Sequence, residues 1–221
     1  MPMHLRFKLA GIALTLGGLT AATCHVFSFE ASAGVSHLAK YACFAEPVHL
    51  VLFASVLLVL LGWSEQHALQ FSDPGIMGPA SFVCLFLGII CGDLLHCTLE
   101  FSVFPVLGSM VPYALPGIAE ATYRSAAVSN LIWAGRALMF LGGVTTALSI
   151  RRSRFLPLWV AAPMMVSAML LALGLFPQFS SAMVPASMPA FYVSTAVLGV
   201  SVLCARRASK VTSALAEAAA K

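Results

Sequence analysis

Apolar residues run almost unbroken through six stretches, roughly 9–28, 47–63, 80–103, 128–150, 156–176 and 186–205, and most charges fall between them. Each stretch approaches the ~20 residues a helix needs to cross a bilayer core. In lipid every backbone N–H and C=O has to be satisfied inside the segment, which selects helices. The pattern predicts an all-α integral membrane protein, a six-transmembrane-helix bundle forming one transmembrane domain over 1–221.

Proline placement refines these elements. Pro47, Pro79, Pro157 and Pro185 stand at or just before segment starts, where a missing N–H costs nothing. Pro163 falls inside the fifth segment and predicts a kink there, or a neighbour that absorbs one. The basic start followed by Leu9 to Phe27 resembles a signal peptide, but its apolar run is long enough to span, so it reads as a retained first helix. The segment 105–127 is apolar yet broken by Pro105, Pro112 and Pro116; it is expected as an interfacial loop, with a lid over the outer face as the rival reading. The Ala-rich tail 208–221 is helix-prone and expected to extend the sixth helix.

Composition narrows the class further. Only 9% of residues are charged while 60% are hydrophobic, against about 25% charged in an ordinary soluble domain, so the surface of a water-soluble fold could not be covered. The net charge of +4 is modest, and no basic cluster carries interleaved aromatics, so nucleic acid is not an expected partner. With the N-terminus inside, Arg6, Lys8, Arg151, Arg152, Arg154, Arg206, Arg207, Lys210 and Lys221 fall on the inner side, and only Lys40 and Arg124 on the outer. That asymmetry predicts both termini in the cytoplasm. Small size and short loops suggest a bacterial inner (cytoplasmic) membrane, with the lipid bilayer as the obligatory surroundings.

The six cysteines form no C-x-x-C pair. Cys24, Cys84, Cys91 and Cys204 lie in apolar runs, where Cys behaves as a small hydrophobe. Cys43 and Cys97 both fall near the outer boundary, where a bridge between them is conceivable if their Cα atoms approach closely.

The candidate chemistry lies in 88-GIICGDLLHCTLEFSVF-104. Asp93, His96, Cys97 and Glu100 follow i, i+3, i+4, i+7 and would share one helical face. At a similar level the first helix ends in Cys24-His25, the second begins with Glu46 and His49, and the fourth carries Asn130 and Arg136. These groups outline a polar pocket in the outer halves of helices one to four, built by His25, Glu46, His49, Asp93, His96, Glu100, Asn130 and Arg136. A charge at mid-membrane costs at least ~2.5–3.5 kcal/mol, so Asp93 and Arg136 are expected to meet as an ion pair inside the bundle.

His96, Glu100 and Asp93 are the candidate acid–base residues, and His25, Glu46, His49, Asn130 and Arg136 the candidate binding residues. Three imidazoles, His25, His49 and His96, could hold a transition-metal ion with a carboxylate. A haem is not expected, since electron transfer across the membrane would call for a second ligand set on the inner side. The leading function is binding or transport of a small molecule or lipid, with a transporter component as one form of it. The rivals are a membrane-embedded enzyme doing acid–base or metal-dependent chemistry on a lipophilic substrate, and a structural or partner subunit held by interhelical ion pairs.

Overall fold

The computed structural model describes residues 3–32, 38–70, 77–111, 114–152 and 156–219, with side chains described within 5–27, 47–67, 78–152, 156–176 and 178–204. Among these residues every element is helical. Helix α1 is Met3–Ser32 and α2 is Leu38–Gln70. Helix α3 covers 77–110: it starts as Met77–Ile89, widens into a π-turn at Ile90–Leu94, returns to α geometry for Leu95–Thr98, widens again at Leu99–Val103, and finishes as Phe104–Met110. A short α4 (Leu115–Arg124) leads into α5 (Ala126–Arg152). A 3₁₀ turn at Leu158–Val160 opens α6 (Ala161–Gly174), and α7 is Pro177–Ala219.

Among the described residues, five helical stretches are long and apolar enough to cross a membrane: Leu5–Phe27, Pro47–His67, Gly78–Leu107, Ala126–Arg152 and Pro185–Cys204. The sixth expected segment is the shorter apolar helix Leu158–Gly174. At ~1.5 Å per residue it falls short of a ~30 Å hydrocarbon core.

Neighbouring helices close a ring in the order α1, α2, α3, α5, α6, α7 and back to α1, with α4 laid against α5 and the far end of α3. Large apolar side chains point outward from the ring, Leu61 at 64% exposure and Val166 at 59%, while His49, Ser55, Asp93, Ser167, Ser194 and Thr195 are buried within it. This distribution inverts that of a water-soluble bundle and suits an apolar solvent.

Small residues set the closest approaches. A Cβ on Gly17 would lie 2.8 Å from the Ser55 carbonyl oxygen of α2, and one on Gly18 would lie 2.6 Å from the Tyr192 carbonyl oxygen of α7. Adjacent glycines on α1 therefore admit a neighbour on either side. Between α3 and α5, Gly92 and Gly135 abut so tightly that a Cβ on Gly135 would lie 2.8 Å from the Gly92 Cα.

Three expectations about prolines are corrected. Pro47 and Pro185 lie inside helices, because α2 and α7 begin upstream of the apolar stretches. Pro163 is the third residue of α6, where its absent N–H is one of the donors a helix start leaves unpaired, so it imposes no kink. The first N–H of α6, on Ala161, is satisfied by the carbonyls of Leu158 and Trp159.

Candidate functional site

The two π-turns of α3 each carry one carboxylate, Asp93 in the first and Glu100 in the second. In each, a backbone N–H reaches five residues back, from Leu95 to the Ile90 carbonyl and from Phe104 to the Leu99 carbonyl. A wide turn accommodates one extra residue and re-aims the side chains around it, and such turns recur at functional sites. The even stripe expected for Asp93, His96, Cys97 and Glu100 is accordingly divided. Cys97 turns into the apolar core, Asp93 takes its partners from α1 and α7, and His96 and Glu100 share Tyr123 of α4.

Asp93, only 3% exposed, is the centre of the first group. His25 of α1 places Nε2 3.1 Å from its Oδ2, and the Tyr192 hydroxyl of α7 donates to the same oxygen. The His25 and Tyr192 rings stack at 5.4 Å with an interplanar angle of 17°. An ionised carboxylate only accepts hydrogen bonds, so His25 is assigned the tautomer protonated at Nε2.

The second group lies on the α4 side. Tyr123 of α4 donates its hydroxyl proton to Glu100 Oε1 at 2.6 Å, and its oxygen lies 2.9 Å from His96 Nδ1. With the phenol proton directed at Glu100, His96 Nδ1–H is the donor to the Tyr123 oxygen, giving an ordered run from imidazole to phenol to carboxylate. His49 of α2, 1% exposed, meets His96 edge to face at 5.3 Å. His96, Glu100 and Tyr123 are only partly buried, so the network is closed around Asp93 and more open toward α4.

Arg136 corrects the expected ion pair. Among the described residues no direct salt bridge joins it to Asp93; its guanidinium lies over the Trp133 ring, 5.5 Å from the centroid. The physical reason is that His25 and Tyr192 already supply Asp93 with two donors, while Trp133 offers the cation an aromatic face one turn away on its own helix. Asn130 is on the exposed face of α5 and takes no part in either group among the described residues. The Glu46 side chain lies outside the described residues.

The three histidines named as metal candidates do not converge. His25 is committed to Asp93 while His49 and His96 pair with each other, and among the described residues no group of three His, Cys, Asp or Glu is placed to hold a metal ion. Cys97 is a free thiol among the described residues, and the Cys43 half of the conceived bridge lies outside them.

Two side chains of this network, Tyr192 and Tyr123, are not among the residues the sequence singles out. Tyr192 stands alone as a tyrosine within the six apolar stretches, and a buried phenol needs a hydrogen-bond partner, a usable signal for its role. Tyr123 carried no such signal, because it falls in the segment read as a loop. That segment instead forms the end of α3 and all of α4, and α4 delivers Tyr123 to His96 and Glu100.

Searches against protein-family models, curated proteins and solved structures find no match to the chain.

Proposed function

We propose that the protein is a six-span membrane protein with both termini in the cytoplasm, in a bacterial inner membrane, and that its buried network binds the polar head of a small amphipathic molecule or lipid. The six-span reading takes Leu158–Gly174 as a short crossing, and the sidedness rests on the Lys and Arg distribution. One observation carries the binding reading. Two π-turns within a single helix gather imidazoles, carboxylates and phenols from five helices, where plain α geometry and apolar residues would have served packing alone. His96, Glu100 and Tyr123, at the less buried end, are the groups that meet the head.

A second reading, acid–base catalysis on a lipophilic substrate, is favoured by the run from His96 through Tyr123 to Glu100, which can pass a proton between imidazole and carboxylate. Both readings are tested together. The full chain is purified in mild detergent, and retained lipids and small molecules are compared by mass spectrometry for the wild type, His96→Ala and Glu100→Gln. An amphiphile retained by the wild type and lost in both variants at equal folded yield is the expected result; identical profiles overturn the binding reading. Conversion of that amphiphile by the wild type, abolished in Glu100→Gln, would assign the enzyme.

A further inference from the structure

Along the seam between α1 and α2, the contact made at Gly17 and Ser55 gives way to a groove of about 470 Å³. Its walls include Leu19, Thr23, Phe27, Val48 and Val51, and Cys24 is its most buried lining residue. Leu19, Phe27 and Val51 are each about half exposed on the outer surface of the ring, so the groove opens sideways, toward the surroundings the apolar belt faces. Its lining is mainly apolar, with Thr20 and Thr23 as the two hydroxyl residues, and the Thr23 hydroxyl is turned back onto the Leu19 carbonyl at 2.9 Å.

The position of the groove links it to the polar network. Cys24 immediately precedes His25, and Val48 immediately precedes His49, so the residues beneath the groove are backbone neighbours of the two histidines that face inward. From Leu19 to Phe27 the seam runs ~12 Å along α1, long enough for a stretch of extended hydrocarbon and too narrow in chemistry for a polar guest.

We infer that this groove is the docking site of a single hydrocarbon chain, the tail of an amphipathic lipid that enters from the bilayer between α1 and α2. The inference rests on the head-group reading above and adds the substrate class: one slender chain on a polar head. Five of the eight lining residues are Leu19, Phe27, Pro47, Val48 and Val51, so the walls are mainly hydrocarbon, and the bilayer that surrounds the opening is itself a reservoir of such chains.

The test uses the full chain in phosphatidylcholine and phosphatidylglycerol vesicles that carry a phospholipid with a diazirine in mid-chain. After illumination, adducts on 19–27 and 47–51 are expected to exceed those on the comparably exposed stretch 166–173 by about tenfold, the ratio that ~1.4 kcal/mol of preference gives. Thr23→Trp and Val51→Trp, both at exposed rim positions, are expected to lower them to that baseline. Even labelling of both stretches in the wild type overturns the groove as a site and leaves only annular lipid. Competition by an unlabelled fatty alcohol or by a polyprenol then tells an acyl chain from an isoprenoid one. The two readings fail separately. Groove labelling with no amphiphile lost in His96→Ala removes the head-group reading, and even labelling with the amphiphile still lost removes the tail site.

Discussion

His25 and Tyr192, from helices at opposite ends of the chain, bond the same carboxylate oxygen, Oδ2 of Asp93. Their helices are brought side by side by Gly18, which lies against the Tyr192 backbone, so a small residue about two turns before His25 fixes where both donors meet. A carboxylate inside an apolar bundle has to be offset by donors of this kind, because removing either leaves part of the charge uncompensated.

Tyr192→Phe keeps the ring and its stack on His25 while deleting one donor. We expect a loss of ~1–3 kcal/mol in unfolding free energy, the cost of an unmade hydrogen bond to a buried charge. His25→Phe should cost a similar amount. Because both act on one oxygen, the double variant is expected to depart from additivity by ~0.5–3 kcal/mol. Thermal or denaturant unfolding of the purified protein measures all three; strict additivity would show that the two donors are independent.

Asp93 and Arg136 make the opposite case. Arg136 lies beside the Gly92 backbone but makes no direct bridge to Asp93, so Asp93→Asn and Arg136→Met are expected to couple more weakly than the His25 and Tyr192 variants. Asp93→Asn should be the more damaging, since it disturbs His25 and Tyr192 together. A double variant milder than Asp93→Asn alone would reinstate a direct pair.

The all-helical class and the apolar helices were legible because hydropathy and length suffice for them. The segment 156–176 yields the shorter helix Leu158–Gly174 because residues 156 and 157 precede the helix and Leu158–Val160 form a 3₁₀ turn. At the candidate site, His25, His49, Asp93, His96 and Glu100 could be nominated from their scarcity in apolar runs. Their pairing could not. The periodicity argument assumes 3.6 residues per turn throughout, and the two π-turns break that register where it matters, sending Cys97 to the core and separating Asp93 from Glu100. The close approach of α3 and α5 was legible in principle, since Gly88 and Gly92 form a G-x-x-x-G pair.

That approach supports a packing prediction. Gly135→Ala would force Cβ into the Gly92 backbone, which cannot rotate away, so a loss of ~1–3 kcal/mol or misfolding is expected. Gly117→Ala on α4 is the control. Nothing lies within 4 Å of its Cβ, and alanine's better helix propensity predicts a neutral or slightly stabilised protein, by up to ~1 kcal/mol. Equal effects at the two positions, read from melting of the purified variants, would refute the tight contact.

The last prediction concerns α4. This helix is bounded by the extended residue Ser125 before α5 and by the non-helical Val111 after α3, and Tyr123 bonds it to both His96 and Glu100. A ten-residue helix is marginal by itself, so its docking depends on tertiary contacts such as this one. Tyr123→Phe retains the ring contacts with Phe104 and His96 but removes the hydroxyl. Amide hydrogen exchange across 115–124 is expected to accelerate about tenfold, reflecting the loss of ~1.5 kcal/mol of local stability, while exchange in α1 and α7 stays unchanged. Glu100→Gln leaves an acceptor for the phenol and should produce a smaller acceleration than Tyr123→Phe. If both variants left 115–124 as protected as in the wild type, the hydroxyl would not be what holds α4 over the network, and apolar packing on α5 would have to carry that role.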